Sequence, residues 1–327
     1  MAIATSARAR VSASLTFIAF VSAWETHPLK VLATRRYPGP AFDELVDVEV
    51  RALSELKSPR PDVEALVVAN EPVPLDLLPG LRLVANYSVG YDRLGIEELA
   101  RLGVAVSNTP GVLSAATADL TFALILAARR RIVEGDAYVR SGKWTTDWTE
   151  GFLAEELTGS TLGIVGLGRI GQAIARRAQG FELRVLYTQR TPAETALGEY
   201  RDLDTLLAQS DIVSIHTPLM PETRGLIDAR RLALLRDGAC LVNTARGEIV
   251  DEAALVAELV SGRLRAGLDV FAHEPNVPAE LLQLQNVVVT PHLGSATRQT
   301  REAMTRIVVD NILAFERGDA LVTPVTV

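Results

Sequence analysis

Short apolar runs alternate with longer segments of helical period from Lys30 to the end of the chain. The first four runs read KVLAT, ALVVA, LRLVANY and VAVSNT. Such nearly continuous runs are typical of strands buried on both faces of a parallel sheet. Residues 115–140 then follow a helical pattern, apolar in the first half and charged in the second, and predict one long helix. This part of the chain is expected to form an α/β unit.

A second series of strands begins after the sequence LTGS. Plausible helices separate most of them, and the final segment TRQTREAMTRIVVDNILAFERGD predicts a helix that returns to the first unit. Strands that alternate with helices require right-handed crossovers and give a doubly wound parallel sheet, so the predicted fold class is α/β. Six strands are predicted in this series: Leu162–Val165, Arg184–Tyr187, Ile212–Ile215, Cys240–Asn243, Ala266–Asp269 and Val287–Thr290.

The first 29 residues do not share this pattern. Arg8 and Arg10 precede an apolar run and the small residues VSA at 21–23, an order that resembles a secretory signal peptide. The run is short and rich in serine, so it does not predict a membrane span. We favour the other interpretation, a disordered or non-native N-terminal extension, and keep export as the alternative.

Composition narrows the classes of function. The chain has 327 residues, enough for two domains and a sizeable core, and its formal net charge of −7 argues against a general nucleic-acid binder. Cys240 is the one cysteine, which excludes an internal disulfide framework and a metal site of several cysteines. The four histidines have no paired metal spacing, so no metal site is predicted.

A glycine fingerprint follows the first strand of the second series. Gly166, Gly168 and Gly171 form the pattern G-x-G-x-x-G between an apolar strand and an amphipathic helix. The first glycine permits a tight turn, the second lets a pyrophosphate approach the backbone, and the third lets the helix pack closely on the strand. Arg169 and Ile170 open the helix, whose N-terminus favours phosphate. These residues predict a dinucleotide site, with a ligand-free glycine turn as the less favoured alternative.

Polar residues of the second series cluster beyond the carboxyl ends of the strands, where open parallel sheets bind ligands. A nicotinamide-dependent oxidoreductase needs a cation for an anionic substrate, a proton donor for the carbonyl oxygen, and a carboxylate that orients this donor. Arg246, His292 and Glu274 are predicted to fill these roles, although each alone is also consistent with an ordinary surface or turn residue. The strand-end segments are His216-Thr217-Pro218, Thr244-Ala245-Arg246, Asp269 with Glu274, and His292-Leu293-Gly294.

The segment VLYTQRT at residues 185–191 bears on the choice of cofactor. Gln189 lies 18 positions after the third glycine, about where an acid binds the adenosine ribose of NAD. No acid is present here, and Arg190 offers a bidentate grip on a 2′-phosphate with help from the hydroxyl of Thr188 or Thr191. The segment therefore predicts NADP(H) in preference to NAD(H), with a solvated loop arginine as the alternative.

The chain resembles the D-isomer-specific 2-hydroxyacid dehydrogenase family over nearly all of residues 30–327. The resemblance lies in the stretches YSVGYDRLGIEELARLGVAVSNTPGVLSAATADLTFALILAARR, GIVGLGRIGQAIARR, LVNTARGEIVDEAALVAEL, GLDVFAHEP and TPHLGSAT. Within the family, the chain is most similar to the glyoxylate/hydroxypyruvate reductases and the related hydroxyphenylpyruvate reductases.

The resemblance implies a Rossmann-type dinucleotide domain and a flavodoxin-like substrate domain, with the active site in the cleft between them. Residues 30–126 plus 295–327 are expected to form the substrate domain, and residues 127–294 the dinucleotide domain. The resemblance also implies that the backbone of Val89 and Gly90 binds the substrate carboxylate. A homodimer is expected, with contacts between the dinucleotide domains. The residues implied to line the cofactor are Thr117, Thr217, Asp269 and Gly294, and the predicted cofactor site also includes His216, Pro218, Thr244, Ala245 and His292.

The predicted reaction is the NADPH-dependent reduction of a small 2-oxo acid, such as glyoxylate or hydroxypyruvate, to the D-2-hydroxy acid. His292 is the predicted proton donor, and a cytoplasmic location is expected for a reductase that uses recycled cofactor. Two alternatives stay open: a cofactor-sensing, corepressor-like binding protein, and a hydroxyphenylpyruvate or 2-ketogluconate reductase of the same family. The chain length disfavours a phosphoglycerate dehydrogenase with a regulatory domain, and Glu274 disfavours a formate dehydrogenase.

Overall fold

Two separate parallel β-sheets organise the chain in the computed structural model, which describes residues 28–145 and 150–326. The first sheet has the strand order β2-β1-β3-β4-β5, and every pair in it is parallel. This order is the flavodoxin-like one, as predicted for the first unit. Its strands are β1 (Val31–Ala33), β2 (Val48–Val50), β3 (Ala65–Val68), β4 (Leu83–Asn86) and β5 (Ala105–Ser107).

The second sheet has seven strands in the order β12-β11-β10-β9-β6-β7-β8, again all parallel. The strand order reverses between β6 and β9, which is the switch point where a Rossmann-type sheet binds its ligand. Its strands are β6 (Thr161–Val165), β7 (Arg184–Thr188), β8 (Glu199–Tyr200), β9 (Ile212–Ile215), β10 (Cys240–Asn243), β11 (Arg265–Leu268) and β12 (Val287–Val289). The predicted pair of doubly wound α/β sheets is therefore confirmed.

Helices cover the faces of both sheets. In the described ranges they are α1 (Ile96–Arg101), α2 (Ser114–Arg129), α3 (Ile132–Arg140), α4 (Arg169–Gly180), α5 (Leu203–Gln209), α6 (Ala229–Leu232), α7 (Glu252–Val260) and α8 (Arg298–Glu316). None of the helices in this part of the chain is long and apolar enough to cross a membrane.

The prediction of one long helix over residues 115–140 is wrong. The helix ends at Arg129, and Arg131 adopts a left-handed conformation with φ of 53° before α3 begins. The Arg131 guanidinium donates to both carboxylate oxygens of Glu134, each at 2.7 Å, and so holds the start of α3. A left-handed residue cannot continue a right-handed helix, which explains the break.

The final helix α8 returns to the first sheet, as predicted. Met304, Val308 and Ile312 are buried against its strands, and Tyr87 after β4 donates to the carbonyl oxygen of Arg301 at 2.7 Å. Leu29, assigned to the N-terminal extension, is buried in the same core, and its N–H donates to Glu316 at 3.1 Å. Leu29 therefore belongs to the fold. The rest of the predicted extension, apart from Pro28, lies outside the described residues.

Helix α2 packs against the second sheet. Its buried side chains share a core with β6 and α4, and a Cβ atom on Gly267 in β11 would lie 2.8 Å from the Cβ of Leu124. The predicted division at residue 126 would leave most of α2 with the first sheet. The division into domains stays a prediction, but this packing makes α2 a direct support for the strand ends of the second sheet.

Candidate active site

The glycine turn between β6 and α4 has the geometry that its sequence predicts. Gly166 has φ of 99°, and a Cβ atom there would lie 2.8 Å from the backbone carbonyl of His216. A Cβ atom on Gly171 would lie 2.1 Å from the carbonyl oxygen of Gly166. Both positions therefore exclude a side chain, the first by conformation and contact, the second by close helix–strand packing.

The remaining residues of this turn leave room for a ligand. A Cβ atom on Gly168 would meet nothing within 4 Å, and Gly168 and Arg169 are exposed at the start of α4 while Ile170 is half-buried. The first N–H groups of a helix have no intrahelical partner and lie at the positive end of its dipole. These residues fit the pyrophosphate of a dinucleotide.

Residues 188–191, at the end of β7 and the start of the next loop, carry no acid. Gln189 is half-buried, and its amide donates to the carbonyl oxygen of Thr191 at 2.7 Å. Thr188 is buried, and its carbonyl oxygen accepts from the N–H of Gly166 at 2.9 Å. Arg190 is exposed and has no hydrogen-bond or ion-pair partner among the described residues. The loop thus presents one free guanidinium next to the glycine turn.

His216 follows β9 and faces the same turn. Its Nε2 lies 2.6 Å from the hydroxyl oxygen of Ser214, and burial lowers the pKa of His216 to about 3. The imidazole is therefore neutral at physiological pH. Thr217 comes next and is half-buried, with its backbone nitrogen 2.9 Å from where a Cβ of Gly166 would lie, whereas Pro218 is exposed.

Asn243 shapes the turn after β10. Its amide donates to the carbonyl oxygen of Arg246 at 2.8 Å, and its side-chain oxygen accepts from the N–H of Ala245 at 3.0 Å. The hydroxyl groups of Thr244 and Thr121 lie 3.0 Å apart, which ties the turn to α2. These contacts fix the direction in which Arg246 leaves the sheet.

Arg246 bridges the two sheets. Its Nε donates to Oδ1 of Asp92 at 3.2 Å, its Nη2 lies 3.1 Å from the same oxygen, and its Nη1 donates to the carbonyl oxygen of Ala245 at 2.8 Å. A Cβ atom on Gly90 would lie 1.9 Å from Nη2, so the guanidinium packs directly on this glycine. The structure thus brings the predicted substrate cation against the predicted substrate loop.

The loop of Val89 and Gly90 has its carbonyl groups occupied and its N–H groups free. The side-chain amide of Asn108 donates to the carbonyl oxygen of Val89 at 3.0 Å, and that of Asn86 donates to Gly90 at 2.9 Å. The N–H groups of Val89 and Gly90 have no hydrogen-bond partner in residues 28–145 and 150–326. Free N–H groups beside a guanidinium suit a carboxylate.

Asp269 holds the turn that carries His292. The buried carboxylate of Asp269 accepts from the hydroxyl of Thr290 at 2.6 Å and from the N–H groups of Leu293 and Gly294 at 2.7 and 2.8 Å. Burial raises the pKa of Asp269, and these three hydrogen bonds oppose the rise. The geometry gives Asp269 a structural task, and its predicted contact with the cofactor remains a prediction.

The same turn is tied to α2 on its other side. The hydroxyl of Thr117 donates to the carbonyl oxygen of Gly294 at 3.0 Å, and both residues are buried. His292 itself has φ of 53°, and its N–H donates to the carbonyl oxygen of Asp269 at 2.9 Å. A left-handed histidine is uncommon and is maintained here by contacts on both sides of the turn.

His292 and Glu274 form the predicted pair. His292 Nδ1 lies 2.9 Å from Glu274 Oε2, while Glu274 Oε1 accepts from the N–H of Phe271 at 3.1 Å. Burial raises the pKa of Glu274, but hydrogen bonding and charge from His292, with smaller contributions from Phe271 and Arg93, outweigh it and lower the pKa below its ordinary value. Glu274 is thus a carboxylate that holds Nδ1 of the imidazole, and His292 Nε2 has no hydrogen-bond partner among the described residues.

The turns of Arg246 and Glu274 are in direct contact. A Cβ atom on Gly247 would lie 2.0 Å from the carbonyl carbon of Phe271, so the two backbones pack without a side chain between them. A cation and a histidine–carboxylate pair therefore meet at the carboxyl edge of the second sheet. With the glycine turn, they define a site suited to a dinucleotide-dependent oxidoreductase.

Comparison with known proteins agrees with this class. A family model described as "D-isomer specific 2-hydroxyacid dehydrogenase, NAD binding domain" matches residues 122–294. A glyoxylate reductase of Pyrococcus furiosus is 48% identical over 313 residues, which cover 89% of this chain and 93% of the relative. The chain belongs to the D-isomer-specific 2-hydroxyacid dehydrogenase family, and the predicted family is confirmed.

Solved structures extend this likeness to the whole fold. A protein from Thermus thermophilus has a TM-score of 0.83 at 44% identity, covering 90% of this chain and 99% of its own. An NADPH-dependent glyoxylate/hydroxypyruvate reductase from Sinorhizobium meliloti, in complex with NADP and malonate, has a TM-score of 0.83 at 35% identity over 92% of this chain and 97% of its own.

The structure also identifies polar residues that the sequence analysis missed. Asp92, Asn70 and Asn243 all bond to groups of the candidate site. Asp92 carried one signal, because it follows the substrate loop SVGY directly in the sequence. Of the two tryptophans near residue 145, Trp144 is exposed, and Trp148 lies outside the described residues.

Proposed function

We propose that the protein reduces a small 2-oxo acid, such as glyoxylate or hydroxypyruvate, to the D-2-hydroxy acid with NADPH. The observation that carries this proposal is the 2.9 Å contact between His292 Nδ1 and Glu274 Oε2, beside the turn of Arg246. The name of the Pyrococcus furiosus relative, glyoxylate reductase, supports the substrate class.

The chemistry divides between the cofactor and three side chains. When bound, the reduced nicotinamide supplies the hydride for the carbonyl carbon. His292 donates a proton from Nε2 to the carbonyl oxygen as negative charge develops there. Glu274 accepts the hydrogen bond from Nδ1–H, which fixes the ring orientation and stabilises the imidazolium form. Because contacts with His292 and Phe271 lower its pKa, Glu274 stays ionised while His292 changes its charge.

Arg246 and the substrate loop hold the acid group of the substrate. The Arg246 guanidinium retains N–H groups that are not used by Asp92 or Ala245, and the N–H groups of Val89 and Gly90 lie beside it. A planar carboxylate accepts from both sets of donors. This grip fixes the carbonyl group of the 2-oxo acid relative to His292.

NADP(H) is the proposed cofactor. The free guanidinium of Arg190 and the absence of an acid at Gln189 favour a 2′-phosphate over a ribose hydroxyl. The relative from Sinorhizobium meliloti, which was solved with NADP, supports the same choice. The proposed pyrophosphate contacts are the backbone at Gly166, Gly168, Arg169, Ile170 and Gly171. The proposed nicotinamide-side and strand-end contacts are Thr117, His216, Thr217, Pro218, Thr244, Ala245, Asp269, His292 and Gly294.

A homodimer in the cytoplasm completes the proposal. Helix α3 exposes Ile132, Val133 and Val139, each by more than half of its surface, and Trp144 follows it. Exposed apolar residues on one element are typical of a contact between subunits. Sedimentation of the purified protein at twice the mass of one chain supports this arrangement, and a single-chain mass at micromolar concentration contradicts it.

A steady-state panel tests the proposed function. The purified protein is assayed with NADPH and with NADH against glyoxylate, hydroxypyruvate, hydroxyphenylpyruvate, 2-ketogluconate and pyruvate. We expect the highest kcat/KM with NADPH and one of the first two acids. Tight NADPH binding without turnover of any acid would instead support the corepressor-like alternative. The highest kcat/KM with hydroxyphenylpyruvate or 2-ketogluconate would support the reductase of that acid, the other alternative within the family.

A further inference from the structure

An ion pair joins the two sheets at the site, and the proposed mechanism leaves one of its members without a task. Asp92 comes from the loop after β4, whereas Arg246 comes from the turn after β10. Their side chains are only 13% and 19% exposed, although the backbone of Asp92 faces solvent. Partly desolvated ion pairs with hydrogen bonds are stronger than surface pairs.

Asp92 is itself held in place by the first sheet. Its Oδ1 accepts from the side-chain amide of Asn70 at 3.2 Å, and Asn70 Oδ1 accepts from the N–H of Arg93 at 3.0 Å. Asn70 has φ of 53°, and its own N–H donates to the side chain of Asn86 at 2.9 Å. The carboxylate is thus fixed to the ends of β3 and β4 rather than being a mobile surface group.

The contacts of Asp92 leave one edge of the guanidinium open. Asp92 takes the side edge, formed by Nε and Nη2, while Ala245 takes one N–H of Nη1. An arginine has five N–H donors, arranged so that a second pair lies at the far end between Nη1 and Nη2. Nη1 and Nη2 therefore each keep one N–H without a partner among the described residues, and a carboxylate can accept from such a pair of donors.

A second charge pair of opposite order lies beside the first. Arg93 Nη2 is 3.9 Å from Oε1 of Glu248, which follows Arg246 by two residues and has a half-buried side chain. The acid Asp92 therefore faces the base Arg246, and the neighbouring base Arg93 faces the acid Glu248. This second pair is longer and more exposed than the first, and its charges favour the same contact between the two loops.

We propose that Asp92 is a positioning residue of the substrate site, which holds the guanidinium of Arg246 by its side edge and thereby presents the far edge to the substrate carboxylate. The proposal rests on the proposed function, since it assigns Arg246 to the substrate. It further implies that the carboxylate site is complete only when the two sheets are in contact, because Asp92 and Arg246 come from different sheets.

The test compares Asp92→Ala and Asp92→Asn with a matched control, Glu258→Ala. Glu258 forms a half-buried pair with Arg263 at 2.6 Å. Arg263 lies just before the amino end of β11, whereas the candidate site lies at the carboxyl ends of the strands. For each protein, the KM and kcat for glyoxylate are measured with NADPH, together with the Kd of oxamate, a 2-oxo acid analogue, and the Kd of NADPH. Asp92→Ala is also combined with Arg246→Ala.

We expect Asp92→Ala to raise the KM for glyoxylate and the Kd of oxamate by about 10- to 100-fold, the range for a hydrogen bond to a charged group. Asp92→Asn, which keeps an oxygen acceptor, is expected to recover part of this loss. The Kd of NADPH should change by less than about threefold in the Asp92 variants, because the affected contact lies on the substrate side. In the Glu258→Ala control, the KM for glyoxylate and both Kd values should also change by less than about threefold. In the Arg246→Ala background, Asp92→Ala should have little further effect on oxamate binding.

Three results overturn the proposal. A lower KM in Asp92→Ala means that Asp92 competes with the substrate for Arg246. A loss that persists in full without Arg246 means that Asp92 only supports the loop fold. A KM and oxamate Kd within threefold of wild type mean that the pair is inert. If wild type reduces none of the acids, the proposed function fails, and the oxamate measurements still decide the role of Asp92.

Discussion

Replacement of Gly90 by alanine isolates the contact between the substrate loop and Arg246. The added Cβ would lie 1.9 Å from Nη2 of Arg246 and 3.0 Å from both its Cζ and Oδ1 of Asp92. Gly90 does not have a positive φ, so alanine fits its backbone without strain. The clash falls on the flexible end of an arginine, so the fold should tolerate the variant.

The functional effect should be much larger than the effect on stability. Carbon and nitrogen atoms in contact are normally about 3.5 Å apart, so the guanidinium has to move by roughly 1.5 Å. A displacement of about 1 Å in a binding group can lower the rate by about 10²-fold. The weaker contact between Arg246 and Asp92 raises the barrier by about a further 1.5 kcal/mol, which lowers kcat/KM by about another tenfold. We therefore expect kcat/KM for the 2-oxo acid to fall by about 10²- to 10³-fold.

The assay combines kinetics, cofactor binding and thermal unfolding. The expected result is a large loss of kcat/KM, an unchanged Kd for NADPH and a melting temperature close to that of wild type. Gly180→Ala is the control, because a Cβ atom there would meet nothing within 4 Å at the end of α4. Full activity in a folded Gly90→Ala protein would refute the assignment of Arg246 in this position to the substrate.

Three further predictions concern the cofactor, the proton donor and pH. Gln189→Asp with Arg190→Ala should lower the ratio of NADPH to NADH efficiency by about 10²-fold or more, since a charge-assisted contact is lost and a repulsion is gained; an unmoved ratio would leave Arg190 a plain surface charge. Glu274→Gln should lower kcat by about 10²-fold and move the alkaline limb of the pH–rate profile to lower pH, because the charge that stabilises the imidazolium is gone; an unchanged profile speaks against the pairing. Burial lowers the pKa of His216 from 6.5 to about 3, so the unfolded chain binds the extra proton between these values and stability falls as pH drops through this window. Between pH 7 and 4.5, urea titrations should show wild type losing about 2–3 kcal/mol more unfolding free energy than His216→Gln, and equal losses contradict the shift.

Strands with nearly continuous apolar runs could be predicted because both of their faces are buried. β6 and β10, for example, are buried at every position and were found to within one residue. The short strands β2 and β8 were missed because their residues are exposed or half-buried and carry no such run. The break between α2 and α3 was missed because it depends on the left-handed conformation of Arg131, which no apolar pattern encodes.

The candidate site also has features that the sequence predicts and features that it does not. The common location of Arg246, Glu274 and His292 could be predicted because a parallel sheet brings all strand ends to one edge, whatever the details of packing, while their roles stay a prediction. The pair of Asp92 and Arg246 could not, because it joins residues 154 positions apart from two different sheets. The structural task of Asp269 likewise depends on how the chain turns back at residues 290–294, which the sequence does not specify.

The most direct test of the central claim is a single-turnover measurement of NADPH oxidation by hydroxypyruvate, with wild type and His292→Gln compared at equal cofactor occupancy. Loss of a general acid typically lowers the rate by about 10²- to 10⁴-fold, and we predict a loss in this range or beyond while the Kd of NADPH is retained. A His292→Gln protein that binds NADPH and oxidises it as fast as wild type would contradict the assignment of His292 as the proton donor.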